Sequence, residues 1–481
     1  MRNHLVLWVN GIRREVHGGD AFLTLSDYLR NRLGLVGTKV MCAEGDCGAC
    51  TVLVAQPRTA SPARFLPIDS CIRFLFQVDG CQIVTVEGLA TDGGLAPAQR
   101  AMIECHGSQC GFCTPGFVMA IAGGCQAKAC GEDLDWRKEL SGNLCRCTGY
   151  VSIFEAAEQA AAEAEPVVVG FADAGWAAEA AELRSHSLSL SGINDGVSLR
   201  ASCPTTLAEA LAIRRDPEPR AVAGGTDLAV LWNKGKLRPQ HWLDLSRVGE
   251  LEGITVEPGE GGETLVAGSL ATWTDLLTVF RDRCREAVPI LETFGGPQIR
   301  HVGTLGGNIV NGSPIADSLP LLVALGATLE LGSATATRAV PIEAFFLGYK
   351  QLDIRANELL VRVRMPLPAS RDRLLLVKVS RRRDLDISTL TAAILIRCAG
   401  ERITTARVAY GGVGPTVVRM RQTEAFLVGQ PFTEQTFRAA GDEAVGEIRP
   451  LTDVRGTADY RLQLARNVLL KFFHEQGRVS A

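Results

Sequence analysis

The chain has 481 residues, enough for about three domains at roughly 150 residues each. It is 46% hydrophobic and 21% charged with a net charge of −3, a globular balance without the basic surplus of a nucleic-acid binder. No stretch reaches the roughly 18 apolar residues of a membrane span. The N-terminus runs into a strand pattern rather than a signal peptide's apolar core, so the expectation is a cytoplasmic protein with no nucleic-acid or membrane partner.

In chain order, Leu5 to Val9 reads as a strand closed by the hairpin signal Asn10-Gly11. Thr24 to Leu33 carries apolar residues at helical spacing and stops at Gly34. After a Gly/Cys loop, Thr51 to Val54 and Ile83 to Val86 read as short strands. This part predicts a small β-grasp-like fold around a cysteine loop. From Pro97 to Ala164 the pattern is helical. Pro115 stands at a first-turn position ahead of Phe117 to Ala122, and Phe154 to Glu165 is a helix ended by Pro166. Residues 166–198 are Ala/Ser/Gly-rich and read as a linker or wrapping segment. Thr206 caps a helix, with Glu209 completing a capping box. Gly-rich turns then alternate with strands to about residue 330. From about residue 370 the pattern is strand, strand, helix, with a long amphipathic helix from Ala458 to Phe473. The predicted boundaries are 1–90, 91–165, 166–198 (linker), 199–368 and 369–481.

Fifteen cysteines are the anomaly, and twelve precede residue 150. A disulfide scaffold would be short and secreted, so this asymmetry points to metal binding near the N-terminus. Cys42, Cys47 and Cys50 stand at C-x4-C-x2-C spacing with Cys71 further on, the plant-type pattern for a 2Fe–2S cluster. Glycines between them let backbone N–H groups approach the sulfurs. Cys81 is the competing fourth ligand; it lies in the turn after Asp79-Gly80, which favours Cys71. Cys110 and Cys113 form C-x2-C at a helix mouth, and Cys145 and Cys147 form C-x-C. Helix ends favour thiolates, and spacing alone leaves zinc and 2Fe–2S both open here. Cys105, Cys125 and Cys130 read as ordinary buried thiols.

Two Gly-rich turns follow. One is Ala221, Val222, Ala223, Gly224, Gly225, Thr226, Asp227; the other runs from Gly303 through Gly306, Gly307 and Asn308 to Asp317. Such turns can offer backbone N–H groups to a pyrophosphate, yet neither is a Rossmann or Walker motif, and tight turns between strands would look the same.

The runs GDCGAC, SQCGFCTPG and GNLCRCTGY resemble the molybdenum hydroxylases, the xanthine dehydrogenase and aldehyde oxidase family. The resemblance implies an α+β multidomain chain: a β-grasp plant-type ferredoxin-like domain, a four-helix 2Fe–2S domain, and a vanillyl-alcohol-oxidase-type FAD domain with an α+β C-terminal domain. It implies that Cys110, Cys113, Cys145 and Cys147 hold a second 2Fe–2S cluster, with Gln109 and Cys147 close to a pterin. It implies FAD contacts at 221–227, Phe294, Thr304, Gly306, Gly307, Asn308, Asn311, Ser313, Asp317, Leu360 and Lys378. The run Lys378 to Ile387, KVSRRRDLDI, resembles the segment on the nicotinamide side, although three successive arginines also suit a solvated surface. The family usually continues CTGY with Arg-Pro; this chain has Val151-Ser152.

No stretch remains for the family's large molybdopterin domain, so the resemblance implies no substrate-converting residue here and a molybdopterin-binding large chain as partner. The expected assembly is a heterotetramer of two small and two large chains. The implied activity is NAD-dependent: electrons from hypoxanthine or xanthine oxidised to urate on the partner pass through two clusters to FAD and then NAD. A homologous chain serving an aldehyde or N-heterocycle hydroxylase is the alternative. A non-catalytic assembly or redox-sensing protein is the other, and the eight intact cysteines weigh against it.

Overall fold

The computed structural model describes residues 2–56, 64–90, 94–163, 170, 171, 173–259 and 261–477. The chain divides into two compact units, Met1–Glu250 with Gly295–Gly303, and Leu251–Phe294 with Thr304–Ala481.

The first unit begins with a five-stranded sheet in the order Ile12–Val16, Leu5–Val9, Gln82–Val84, Thr51–Ala55, Leu66–Asp69. Its hairpin turns at Asn10 and Gly11, both at positive φ (52° and 78°), which matches the right-handed twist of the flanking strands. The central strands are buried on both faces. Leu5, Leu7 and Val9 enter one core and Val6 and Trp8 another; Val52 and Val54 oppose Leu53 and Ala55 in the same way. That two-sided burial explains why LVLWV and TVLVA read as unbroken apolar runs. Thr24 caps the helix Leu25–Asn31, accepting from the Asp27 N–H. The third predicted strand is Gln82–Val84, and Val86 instead opens a 3-10 turn.

Four helices follow: Pro97–Glu104, Thr114–Ala129, Trp136–Glu139 and Val151–Ala162. The last starts three residues before Phe154 and stops before Glu165, which lies outside the described residues. The expected linker contains structure: helix Ala174–Arg184 and strands Leu188–Asn194 and Val197–Cys203. Alanine-rich composition concealed the helix, which buries Trp176 and Ala180. The two strands join Arg220–Val222 and His241–Asp244 in a four-stranded sheet. Thr206 caps the helix Leu207–Ile213, accepting from the Glu209 N–H, and the Glu209 carboxylate reaches back to the Thr205 and Thr206 backbone and the Ser187 hydroxyl.

A buried ion network ties this unit together. Asp79, fully buried, accepts from Arg2 (2.7 and 2.8 Å), Arg247 (2.6 Å) and the Val6 N–H (2.9 Å). Removing the carboxylate strands two guanidinium groups. Asp79→Ala is expected to cost about 3–5 kcal/mol, read as a lowered denaturant midpoint at unchanged slope.

The second unit holds a five-stranded antiparallel sheet in the order Ile254–Gly259, Gly262–Gly268, Leu359–Pro366, Thr328–Gly332, Thr337–Pro341. A second antiparallel sheet follows: Asp372–Val379, Leu390–Ala399, Arg402–Gly411 and Val418–Arg419. Alternation sends Ala393 and Ala409 to one core, and Ile394, Ile396, Val408 and Tyr410 to another. The long helix Ala458–Gly477 covers the second core with Ala465, Val468, Leu469 and Phe472, one helical face.

Candidate functional site

The loop from Cys42 to Cys50 winds through three left-handed residues, Ala43, Gly45 and Gly48 (φ 54°, 74° and 66°). That curl turns Cys42, Cys47 and Cys50 inward toward Cys71, which sits on the 3-10 turn Ser70–Ile72. The Cys47 and Cys71 thiols hydrogen-bond to Cys42, and backbone N–H groups of Glu44 and Asp46 add to them, holding Cys42 far below the usual thiol range. Cys47 is pushed up by its bond to Cys42 and by burial, and Cys71 by its bonds to Cys42 and Cys50. The four sulfurs therefore converge within hydrogen-bonding reach of one another, with Cys42 the one held toward thiolate, and convergence of four sulfurs is what a cluster requires. Beneath it, the Cys50 thiol donates to Asp69 (3.5 Å), whose carboxyl full burial pushes up to about 7. Cys81 is fully buried in the apolar core and its thiol turns to the Asp79 carbonyl.

Cys113 immediately precedes the helix Thr114–Ala129, and Cys145 and Cys147 lie just before Val151–Ala162. Cys110 bonds to Cys147 and Cys113 to Cys145, so these four also meet. The Cys145 sulfur accepts from the Thr148 hydroxyl (3.2 Å) and N–H (3.5 Å); its own N–H donates to the Tyr150 hydroxyl (3.0 Å). Burial, then the bond to Cys145, pushes Cys113 up to about 12. Among the described residues, no three or more His, Cys, Asp or Glu side chains already form the shell of a single metal ion; in this second set the sulfurs stand in two pairs. Gln109, Cys110 and Cys147 are exposed, beside Phe112 (43% exposed) and Val151 (66%). Of the other thiols, Cys105 donates to Gln159 (3.1 Å), Cys125 is half-buried, and Cys130, expected to be buried, is exposed at a helix end.

The two cysteine sets adjoin. The Leu144 N–H donates to the Cys47 carbonyl (3.0 Å), one residue from Cys145. On the other side of the first set, the first glycine turn leaves the strand Arg220–Val222, where Ala221 and Val222 lie, and enters the helix Leu228–Asn233. Gln77 donates to the Ala223 carbonyl (2.6 Å), Arg73 to the Gly224 carbonyl (3.2 Å), and Asn233 to the carbonyls of Ala43 (2.9 Å) and Cys71 (2.8 Å). The N–H groups of Gly224, Gly225, Thr226 and Asp227 donate to no partner among the described residues. Gly225 is left-handed (φ 81°), and a side chain on Gly224 would collide with the Val302 carbonyl. Four free N–H groups in a glycine curl fit a pyrophosphate.

The second turn, in the second unit, is different. Thr304 caps the helix Leu305–Asn311, and the N–H groups of Leu305, Gly306, Gly307 and Asn308 go to the Ala271 carbonyl, the Ser269 carbonyl, the Thr304 hydroxyl and the Thr304 carbonyl. Gly306 serves close packing on Ser269 rather than an open donor array. Asn308 accepts from Ser318 (2.6 Å), Asn311 from Lys350 (2.6 Å), and Ser313 from the Ile315 N–H (3.4 Å). In the same unit Lys378 and Asp317, both mostly buried, form an ion pair (2.7 Å), and Ser388 donates to the other Asp317 oxygen (2.5 Å). Phe294 packs on Trp273 (4.8 Å between ring centres), and Leu360 is buried in the strand Leu359–Pro366. Lys378 also lines a cavity of about 640 Å³ with Arg381, Arg382, Arg383 and Lys471 over Ile290, Val377, Leu464 and Val468. The three arginines are exposed, whereas Lys378 is not.

Four family profiles match in succession: a 2Fe–2S iron–sulfur cluster binding domain at residues 8–70, a 2Fe–2S binding domain at 85–158, the FAD binding domain in molybdopterin dehydrogenase at 197–368, and the carbon monoxide dehydrogenase flavoprotein C-terminal domain at 376–476. A carbon monoxide dehydrogenase structure from Hydrogenophaga pseudoflava is 30% identical over 56% of this chain and 94% of that one, with a TM-score of 0.53. The chain belongs to the molybdenum hydroxylases. It is an iron–sulfur/FAD chain of that family, with two 2Fe–2S domains and an FAD-binding domain. Quinoline 2-oxidoreductase from Pseudomonas putida 86 is 29% identical over 57% of this chain and 96% of that one, TM-score 0.53. Xanthine dehydrogenase 1 of Arabidopsis thaliana is 30% identical over 97% of this chain, which spans 39% of that relative's length. Among the described residues no helix is long and apolar enough to cross a membrane.

Within this molybdenum hydroxylase chain, Val151 and Ser152 open the helix Val151–Ala162, four residues after the exposed Cys147. Sequence reasoning missed Thr51, Asn143 and Gln298, buried polar residues between the cysteine sets. Their one sequence signal is polarity inside apolar or glycine-rich surroundings.

Proposed function

We propose that this chain conducts electrons from a molybdopterin-binding partner, which oxidises hypoxanthine or xanthine to urate, to NAD. The supporting observation is a succession inside one unit: a four-thiol set with Cys110 and Cys147 exposed, a second set joined to it at Cys47, and a glycine turn beside Cys71, whose carbonyl accepts from Asn233. In this reading Cys110, Cys113, Cys145 and Cys147 hold the entry cluster, with Gln109 and Cys147 facing the partner's pterin. Cys42, Cys47, Cys50 and Cys71 hold the second. FAD lies on residues 221–227, with further contacts from Phe294, Thr304, Gly306, Gly307, Asn308, Asn311, Ser313, Asp317, Leu360 and Lys378. Clusters exchange single electrons and flavin exchanges two, so the bound groups supply the conversion while the chain sets spacing and field. Lys378, held by Asp317 and Thr293, brings a fixed positive charge, and the cationic cavity beside it suits an anionic dinucleotide. The proposed organisation keeps boundaries near 90, 165, 198 and 368, in a cytoplasmic heterotetramer of two small and two large chains.

The test is turnover of the assembled complex. Xanthine should reduce it anaerobically, and saturating NAD should support faster turnover than oxygen. Faster turnover with oxygen would overturn the NAD assignment. Reduction by an aldehyde or an N-heterocycle such as quinoline, but not xanthine, would favour the second reading, which the Pseudomonas likeness supports.

A further inference from the structure

Between the two cysteine sets lies a polar knot that neither set needs as ligand. Asn143 donates to the Gly48 carbonyl (2.9 Å) and the Thr51 hydroxyl (3.3 Å). Gln298, from the short segment Gly295–Gly303, donates to the Asn143 side-chain carbonyl (2.7 Å) and to Thr51 (3.3 Å). Thr51 in turn donates to the Gly48 carbonyl (2.6 Å). All three side chains are at most 2% exposed. Four glycines close around them with no room for a methyl group. A Cβ on Gly48 would strike the Gly142 carbonyl and Asn143, one on Gly116 the Gly48 carbonyl, one on Gly142 the Gln298 amide, and one on Gly296 would lie 2.7 Å from the Gly142 Cα. The Gln298 amide oxygen has no hydrogen-bond partner among the described residues, a cost tolerated at a site built for close approach. The same knot flanks the Leu144 N–H to Cys47 carbonyl bond, the short bonded route between a residue of each set.

We propose that Asn143, Gln298 and Thr51 form a positioning device that fixes the separation of the two clusters and keeps the Cys47–Leu144–Cys145 route intact. It takes no part in ligation. Gln298 is the key: it arrives from far along the chain and pins Asn143 to the Gly48 turn. Clusters held by Cys110, Cys113, Cys145 and Cys147 and by Cys42, Cys47, Cys50 and Cys71 would exchange single electrons, for which the distance set by the surrounding chain would matter. This rests on the assignment of the eight thiols to two clusters.

The test uses the full chain with its cofactors. Gln298→Met removes the donor at similar volume, and Gln298→Glu keeps the length but replaces the donor with an acceptor facing the Asn143 carbonyl. Iron content, the two cluster signals by electron paramagnetic resonance, and the magnetic splitting between the two reduced clusters are read together. Expected is full iron and both signals in each variant, with a changed splitting and slower equilibration between clusters after partial reduction in both. Unchanged splitting and equilibration at full iron would overturn the inference, as would loss of iron from both variants, which would make the knot a fold element only. A wild-type chain that lacks the second cluster signal would instead defeat the thiol assignment itself.

Discussion

Cys71→Ser and Cys113→Ser are each expected to abolish one of two distinct paramagnetic iron–sulfur signals and about half the iron of the reduced chain, leaving the other signal. The two are independent because the sulfur-to-sulfur bonds described run within each set: Cys71 with Cys42 and Cys50, Cys113 with Cys145. Both effects should be near total. A cluster thiolate is one of four, and serine's harder oxygen is a poor substitute for soft sulfur. Stoichiometric zinc with a single paramagnetic signal in the unmutated chain would rule out the cluster on Cys110, Cys113, Cys145 and Cys147.

Gly224→Ala is expected to strip flavin while sparing iron. The new methyl group meets the backbone carbonyl of Val302, which cannot swing aside as a side chain could, so the curl carrying the four free N–H groups must open. A rearrangement costing only ~1.4 kcal/mol at the bound state weakens affinity about tenfold. Flavin per chain after gel filtration measures it. Full flavin retention would remove the first turn from the binding site. An equivalent substitution at Gly307, whose Cβ would approach only the Thr304 hydroxyl, should be milder.

The features legible in the sequence are those decided by neighbours. Asn10-Gly11 needs two positive φ values and has them; Thr24 and Thr206 cap helices from one residue away; the cysteine spacings encode loops whose curl brings the thiols together. What escaped was decided at a distance or by competition. The two glycine turns looked alike, yet Gly306 sends its N–H to Ser269 while Gly224 donates to no partner among the described residues, a distinction made by strands far away in sequence. The helix Ala174–Arg184 shows little pattern because alanine faces both sides of it. Gln298 reaches partners 155 and 247 residues away, beyond any local rule.

The segment Gly295–Gly303 belongs to the first unit although both its flanks belong to the second. If the polypeptide were divided after Glu250, the piece carrying Gln298 would be a different molecule from the one carrying Asn143 and Thr51. The peg would then have to find its socket by diffusion, losing the millimolar effective concentration that a short covalent tether supplies. Continuity of the backbone thus acts as a chelate: it makes seating of Gln298 independent of protein concentration, which two co-expressed halves could recover only by binding each other tightly.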